Sequence, residues 1–456
     1  MSDFPDHWQL LPLEDVMEAI IDYRGKTPKK TDEGIPLITA KIVKGGRILE
    51  PSEFIAESDY DSWMVRGLPE VGDVVVTSEA PLGEVAQLTE SNVALAQRIV
   101  TLRGKKGILN NDFLLCAMQS NYVQHQLESR ASGSTVKGIK QSELRKVLLP
   151  IPPEVEQIEI ATHIKTLSNK IELNRQTNHT LEQIAQVLFK SWFVDFEPVK
   201  AKIKAKQNGQ DPELAAMCAI SGKTEEQLKG LSEETLKQLQ TSATLFPDEL
   251  VESELGGIPE GWIYSEIGNE VTVVGGGTPS TKNPVFWEGG HIHWTSPRDM
   301  SKLTDKILLD TDRKITEAGL AKISSGLLPK NTILMSSRAP VGYLAIAKVP
   351  VAINQGYIAM KCETKLSPEY VVQWTESIMD EIKKRASGTT FAEISKKNFK
   401  IIPVIVPHSD VISEYSKTVS NIYSKITEEM RETKYLMEIR DTLLPKLLSG
   451  EMELAG

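Results

Sequence analysis

The chain has 456 residues, 40% of them hydrophobic and 25% charged, which fits roughly two to four globular domains with cores of ordinary size. No run of about 18 apolar residues exists and the opening MSDFPDHWQL lacks the basic and apolar regions of a secretory signal, so neither a membrane span nor export is expected. A net charge of −10 argues against a uniformly basic nucleic-acid binder, and three scattered cysteines (Cys116, Cys218, Cys362) argue against a disulfide framework or a Cys-x-x-Cys centre and for a reducing, cytoplasmic setting.

The first 150 residues are segregated by charge. Between 22 and 47 stand Arg24, Lys26, Lys29, Lys30, Lys41, Lys44 and Arg47, opposed only by Asp22, Asp32 and Glu33. Residues 48–97 are acidic and 98–146 are basic again. The pattern reads either as a binding surface or as the chance clumping of a solvated one. Within it, GDVVVTS (72–78) predicts a strand and APLGEVAQL (80–88) a turn leading into the next strand. The apolar spacing of NDFLLCAMQSNYVQHQLESR (111–130) predicts one helix, with Gly133 of RASGST (130–135) as its C-terminal stop. With VLLPIPP (147–153) these segments close a mixed α/β globule over 1–153.

A long helix is predicted over 154–194. Ile160, Ile164, Leu167, Ile171, Leu181, Ile184 and Leu188 follow the alternating spacing of a coiled-coil seam, interrupted by Asn174 and Asn178. A run of about 33 residues with this pattern spans roughly 50 Å. Residues 195–257 read as a linker: KAKIKAKQNGQDPE (200–213) is polar and basic, and KTEEQLKGLSEETLKQLQ (223–240) predicts a single charged amphipathic helix.

From 258 the chain repeats itself. IPEGW (258–262) answers FPDHW (4–8), GGGTP (275–279) answers RGKTP (24–28), and ILMSSRAPVGYLAIA (333–347) answers VVVTSEAPLGEVAQL (74–88). VAINQG (351–356) answers VALAQR (93–98), aligning Gln355 with Gln97, and RASGTT (385–390) answers RASGST. The blocks keep their order, so a whole unit is duplicated rather than a short solenoid repeat. The second copy predicts a globule over 258–407, with a helix at 367–386 stopped by Gly388, and a long helix over 408–450. That helix carries Tyr415, Val419, Ile422, Ile426, Leu436, Ile439 and Leu443; one constant shift maps the first seam onto it, and Glu429 and Thr433 stand at the matched interruption. A shared interruption favours packing of the two helices on each other over two helices each docked on its own globule.

No catalytic constellation is found. Gly-Lys-Thr occurs at 25–27 and 222–224, but the glycine a phosphate-binding loop needs is Ile20 in one case and Met217 in the other. GGGTP reads as a tight turn. His291 and His293 alternate as on a strand with no ligand cluster to complete a metal site. KNPVF (282–286) departs from an adenine-positioning Asn-Pro-Pro-Phe loop at Val285 and reads as a turn. What the repeats share is Gly, Thr, Pro, Ser, Gln, an Arg and apolar seams, a set suited to backbone and phosphate contacts and to interfaces rather than to proton transfer.

The duplicated unit, SGST followed by LLPIPPEVEQ (148–157), LFKSWFVDFEPVKAK (188–202), LFPDELVESELGGIPEGW (245–262) and LLPKLLSGEM (443–452) together resemble the specificity subunit of type I restriction–modification systems, over essentially the whole chain. The resemblance implies two tandem target recognition domains of mixed α/β fold, each reading half of an interrupted site in double-stranded DNA. It implies that the long helices form an antiparallel coiled coil that spaces the two halves, with Ile160, Ile164, Leu167, Ile171, Leu181 and Leu188 facing Tyr415, Val419, Ile422, Ile426, Leu436 and Leu443. It further implies two modification (methyltransferase) subunits carrying S-adenosylmethionine for adenine N6 methylation, and restriction (translocase) subunits using ATP and Mg. The chain itself is then expected to bind no cofactor or metal and to catalyse nothing; the alternative is a stand-alone or degenerate DNA adenine methyltransferase. The second copy, PVIVPHSDVISEY, lacks PPEVEQ, so contacts made by Glu156 and Gln157 are expected on one side only.

On this reading the DNA-binding candidates of the first domain are Arg24, Lys26, Thr27, Lys29 and Lys30 in a basic loop, with Gln97 and Arg98 of the types that read adenine and guanine edges. In the second domain they are Thr278, Ser280, Thr281, Lys282, Arg298, Arg338 and Gln355. Arg130 and Arg385 stand at matched helix ends, where they either meet phosphate or cap the helix.

Overall fold

The computed structural model describes residues 4–254, 256–388 and 392–452. It divides into two compact units, residues 1–174 with 431–456, and residues 175–430. The division falls inside both long helices, Glu154–Phe189 and Ser409–Ser449, so each helix gives one part to each unit.

The first unit holds a four-stranded antiparallel sheet in the order Met17–Asp22, Ile99–Gly104, Val74–Ser78, Leu82–Gln87. A second sheet orders Phe54–Ile55, Ile35–Ile38 and Ala94–Leu95, the last two parallel. Gln9–Pro12 pairs with Leu148–Ile151. The run Val74–Val75–Val76 is uniformly apolar because both faces of its strand are covered. Successive side chains alternate, placing Val74 and Val76 in one core with Phe113 and Leu127, and Val75 in another with Ile21 and Leu37.

The second unit repeats this plan. Thr272–Val274, Tyr357–Lys361, Ile333–Ser336 and Leu344–Ala347 form the sheet, extended by Ile307–Leu308. Arg313–Ile315, Ile292–Thr295 and Ala352–Ile353 form the second sheet, its last pair again parallel, and Ile263–Glu266 pairs with Pro403–Val406. Even the turn ahead of the fourth strand matches, with cis Ala80–Pro81 in one unit and cis Ala339–Pro340 in the other.

Several local expectations are corrected. The helix predicted over 111–130 is two helices, Asn111–Gln119 and Asn121–Arg130. Ser120 interrupts it, its hydroxyl donating to the Ala117 carbonyl (2.6 Å) and accepting from the Val123 amide (3.2 Å). The second copy breaks likewise, into Pro368–Ser377 and Met379–Arg385. Gly133 and Gly388 do not stop these helices, which end on extended Ala131 and Ala386. Gly133 instead has φ +113° inside a loop closed by the Ser132–Gly138 bridge, where a Cβ would collide with the Val136 carbonyl. The Thr389 and Thr390 part of RASGTT lies outside the described residues.

The linker is folded. Helices Glu197–Gln207, Pro212–Ser221, Glu225–Leu228 and Glu233–Thr244 surround a small core of Ala216, Met217, Leu228 and Ala243. Buried Lys202 donates to Glu213 and to the Phe246 carbonyl, both at 2.8 Å. The single helix expected over 223–240 is two, because Ser232 caps a new start by accepting from the Thr235 amide.

Within each unit the two long helices run antiparallel. In the first, Ile160 and Ile164 share a core with Leu444, Leu447 and Leu448, while Asn174 donates to Glu432 (2.8 Å) and Thr433 (3.4 Å) and Lys170 pairs with Glu432 (3.0 Å). In the second, Phe189 stacks edge-on with Tyr415, and the Glu182 side chain is hydrogen-bonded to Tyr423. The polar interruption is thus a contact between helices, not a gap. The buried stripe turns along the way. Ile160, Ile164, Ile171, Tyr415, Val419 and Ile426 are buried as expected, and Leu167, Leu181, Leu188, Ile422, Leu436 and Leu443 are half-buried. Ile184 is exposed, and Ala185, Phe189 and Leu444 are buried. A strict heptad lags a straight α-helix by about 20° per repeat, so four heptads after Ile160 or Tyr415 the buried face passes to the next residue, Phe189 or Leu444.

Candidate nucleic-acid interface

Three segments distant in sequence meet at one face of the first unit. The Ser78 amide donates to the Arg98 carbonyl and the Ile139 amide to the Ser78 carbonyl, both at 2.9 Å, so the tips of 78–81, 96–98 and 132–139 lie side by side. Arg24 joins them by donating to the Ile139 carbonyl at 2.6 Å. Thr27, on the same basic loop, donates its hydroxyl to Gln97 Oε1 at 3.3 Å. Buried Pro28 anchors that loop, leaving Lys26, Thr27 and Lys29 exposed.

The second unit builds the same face. The Ser337 amide donates to the Gly356 carbonyl (2.8 Å) and the Ile394 amide to the Ser337 carbonyl (3.0 Å). Thr278 donates to Gln355 Oε1 at 2.6 Å. The two residue types aligned by the repeat therefore form the same pair twice. GGGTP is not a tight turn. Gly276 lies against the Ile353 carbonyl with no room for a Cβ, which lets Thr278 reach Gln355, and the Gly277 amide donates to that carbonyl at 2.9 Å.

The candidate cations fall into two groups. Among the described residues Lys26, Lys29, Lys282 and Arg298 are exposed with no ion-pair partner. The others are engaged: Lys30 with Glu53 (2.8 Å), Arg98 with Glu79 (2.8 Å), Arg130 with Glu143 (3.5 Å), Arg338 with Glu393 (3.8 Å) and Arg385 with Glu381 (2.7 Å). Lys30, and with it Lys41, holds the Glu53 carboxyl below the usual range. Arg385 reaches back along its own helix to Glu381, while Arg130 crosses to Glu143 of another helix, so both side chains meet carboxylates.

Three residues of this face were not singled out from sequence. Trp294 Nε1 donates to the Gly277 carbonyl (3.1 Å) and Trp287 Nε1 to the Ser280 carbonyl (3.0 Å), clamping the loop of Thr278, Ser280 and the exposed Thr281. The Arg313 guanidinium stacks 3.4 Å from the centre of the Trp287 ring. An Arg two residues before its partner strand's end and two tryptophans seven apart carry no periodic signal; only the sheet pairing of 313–315 with 292–294 unites them.

The remaining motifs have local partners. His291 lies 3.5 Å from Glu317 and His293 3.3 Å from Asp310, and burial lowers the His293 pKa. No group of His, Cys, Asp or Glu among the described residues has the arrangement of a metal site, and none of their helices is long and apolar enough to cross a membrane. In KNPVF, Asn283 caps the short helix Pro284–Phe286, accepting from the Val285 amide at 3.2 Å. Glu156 and Gln157 serve the first unit internally. Glu156 accepts from Trp8 Nε1 (2.9 Å), and Gln157 accepts from the Asn110 amide while donating to the carbonyls of Ile108 and Pro152. The counterpart Trp262 is buried with its Nε1 unpaired among the described residues, in keeping with the lack of PPEVEQ in the second copy.

Residues 5–183 and 259–434 each match the family model described as the type I restriction modification DNA specificity domain. The chain is 34% identical over 379 residues to the type I restriction enzyme HindI specificity subunit of Haemophilus influenzae, covering 79% of this chain and 82% of that one. It is 24% identical over 463 residues to the MjaIX specificity subunit of Methanocaldococcus jannaschii, covering 99% and 95%. Its fold is similar to a crystal structure of the type I restriction–modification S subunit from M. genitalium, with a TM-score of 0.54 and 15% identity over 98% of this chain and 97% of that one.

Proposed function

The chain belongs to the type I restriction–modification DNA specificity family, and from that premise we propose that it is the subunit that reads a bipartite, interrupted DNA target, one half with each globule. The observation that carries this reading is the face built twice from the same three segments, with the same Thr–Gln pair at its centre. Its exposed groups are hydroxyls, amides and unpaired cations, which suit phosphate and base-edge contacts. The net acidity is compatible with this, because only the DNA-facing surfaces must be basic.

On this proposal the chain is non-catalytic and cytoplasmic. Two modification subunits dock on it and carry S-adenosylmethionine for adenine N6 methylation. Restriction subunits supply ATP- and Mg-dependent translocation and cleavage. The paired long helices set the number of unread base pairs between half-sites whose centres lie on the order of one helical turn of DNA, about 34 Å, apart.

Methylation mapping of host DNA tests the proposal. The wild-type chain with its modification subunits is expected to produce methylation at one bipartite motif. Insertion of four residues after Asn174, about one helical turn, is expected to change the spacer and leave both half-sites intact. A continuous motif, or an unchanged spacer in the insertion variant, would count against it.

A further inference from the structure

We infer that the Thr27–Gln97 and Thr278–Gln355 pairs are register contacts to the DNA backbone, each holding a phosphate oxygen, rather than readers of a base; this rests on the DNA-reading role proposed above.

The first argument is chemical. The threonine hydroxyl donates to the glutamine Oε1 in both units. A bidentate contact to adenine needs Oε1 to accept from the base and Nε2 to donate to it. Here the threonine takes one of the two lone pairs of Oε1 and so fixes the direction of the amide, and the end whose groups are all unengaged is the Nε2 donor. A phosphate oxygen is a pure acceptor and matches it.

The second argument is mechanical. Each glutamine sits on a short segment tied at both ends to different neighbours. The Ala96 amide donates to the Ile38 carbonyl (3.0 Å), and the Arg98 carbonyl accepts from Ser78. The Asn354 amide donates to the Thr295 carbonyl (3.0 Å), and the Gly356 carbonyl accepts from Ser337. A side chain on so constrained a segment fixes position, which is what a register contact does.

The third argument is comparative. Around the constant pair the two faces differ: Lys26 and Lys29 against Gly277 and Ser280, Arg98 against Gly356, Glu79 against Arg338. Two heads reading different half-sites must differ where they meet bases. What stays the same meets what both half-sites share, the sugar–phosphate backbone.

The test uses the chain assembled with its modification subunits and a duplex carrying the mapped site. Gln97→Ala is expected to weaken binding on the order of tenfold, equally for the mapped site and for sites altered at single base pairs of that half. Its salt dependence should match wild type, because glutamine carries no charge. Gln97→Glu, which keeps an acceptor for Thr27 but sets an anion against phosphate, should bind more weakly than Gln97→Ala. Thr27→Ser should retain binding where Thr27→Val loses it. A single neutral methylphosphonate at the contacted phosphate should weaken wild type and leave Gln97→Ala unaffected. A loss seen only with one particular base pair would overturn the inference, as would full affinity of Gln97→Ala while Lys26→Ala still weakens binding. If both variants bind as wild type, the DNA-reading face itself is wrong.

Discussion

Charge removal at Lys26 should change how DNA binding responds to salt, whereas the same change at Lys30 should do so far less. Both lie on one loop, four residues apart. Lys26 is exposed and without an ion-pair partner among the described residues, while Lys30 Nζ is 2.8 Å from Glu53. A lysine that neutralises one phosphate releases condensed counterions and contributes about 0.9 to the slope of log affinity against log salt. From about 50 to about 200 mM salt, one such contact alters the affinity ratio by about 3.5-fold, and Lys26→Ala with Lys29→Ala together by about 12-fold. Lys30 must leave Glu53 to meet phosphate, and its removal leaves Glu53 only Lys41 at 3.3 Å. Lys30→Ala should therefore shift the slope by well under one contact. Fluorescence anisotropy of the assembled complex at several salt concentrations reads both quantities. An unchanged slope for Lys26→Ala, or a larger change for Lys30→Ala, would refute the division of the cations into free and engaged.

Two stability experiments follow from the contacts that differ between the copies. Trp8→Phe breaks the indole bond to Glu156, whereas Trp262→Phe removes an N–H with no partner, so urea unfolding should show Trp8→Phe to be costlier by about 1.5 kcal/mol; equal costs would contradict the one-sided contact. In the second unit Lys306 lies 3.0 Å from Glu182, both less than a fifth exposed, and Gln373 donates to the same oxygen. Lys306, which also lies 3.3 Å from Glu376, is the cation Glu182 faces; Lys306→Met should destabilise by about 3 kcal/mol, and adding Glu182→Gln, which removes the charge but keeps an acceptor for Gln373, should recover part of that. A double variant no more stable than the single would show that the ion pair is not what matters at that position.

Periodicity and repetition made much of the architecture legible. The strands at 74–78 and 333–336, the long helices and the whole-unit duplication follow from apolar alternation, helical spacing and block order, because these patterns report local backbone geometry directly. The single helix expected over 111–130 failed at Ser120, where side-chain capping outweighs an uninterrupted apolar pattern. The linker was read as a polar stretch with one helix, because its buried core of Ala216, Met217, Leu228 and Ala243 is too small to stand out from composition.

The chain's own letters determined that there are two similar heads, that Thr27 and Gln97 recur as Thr278 and Gln355, and that two long apolar stripes carry one polar interruption. Only the tertiary structure decided that each threonine bonds its glutamine, because 70 residues separate one pair and 77 the other. It also decided which cations are free. Glu53, Glu79 and Glu393 engage Lys30, Arg98 and Arg338, and no sequence spacing foretells such pairings, which depend on long-range backbone placement. The turn of the buried stripe from Leu188 to Phe189 has the same origin: a heptad repeat is written at 3.5 residues per turn, and the folded helix winds at about 3.6.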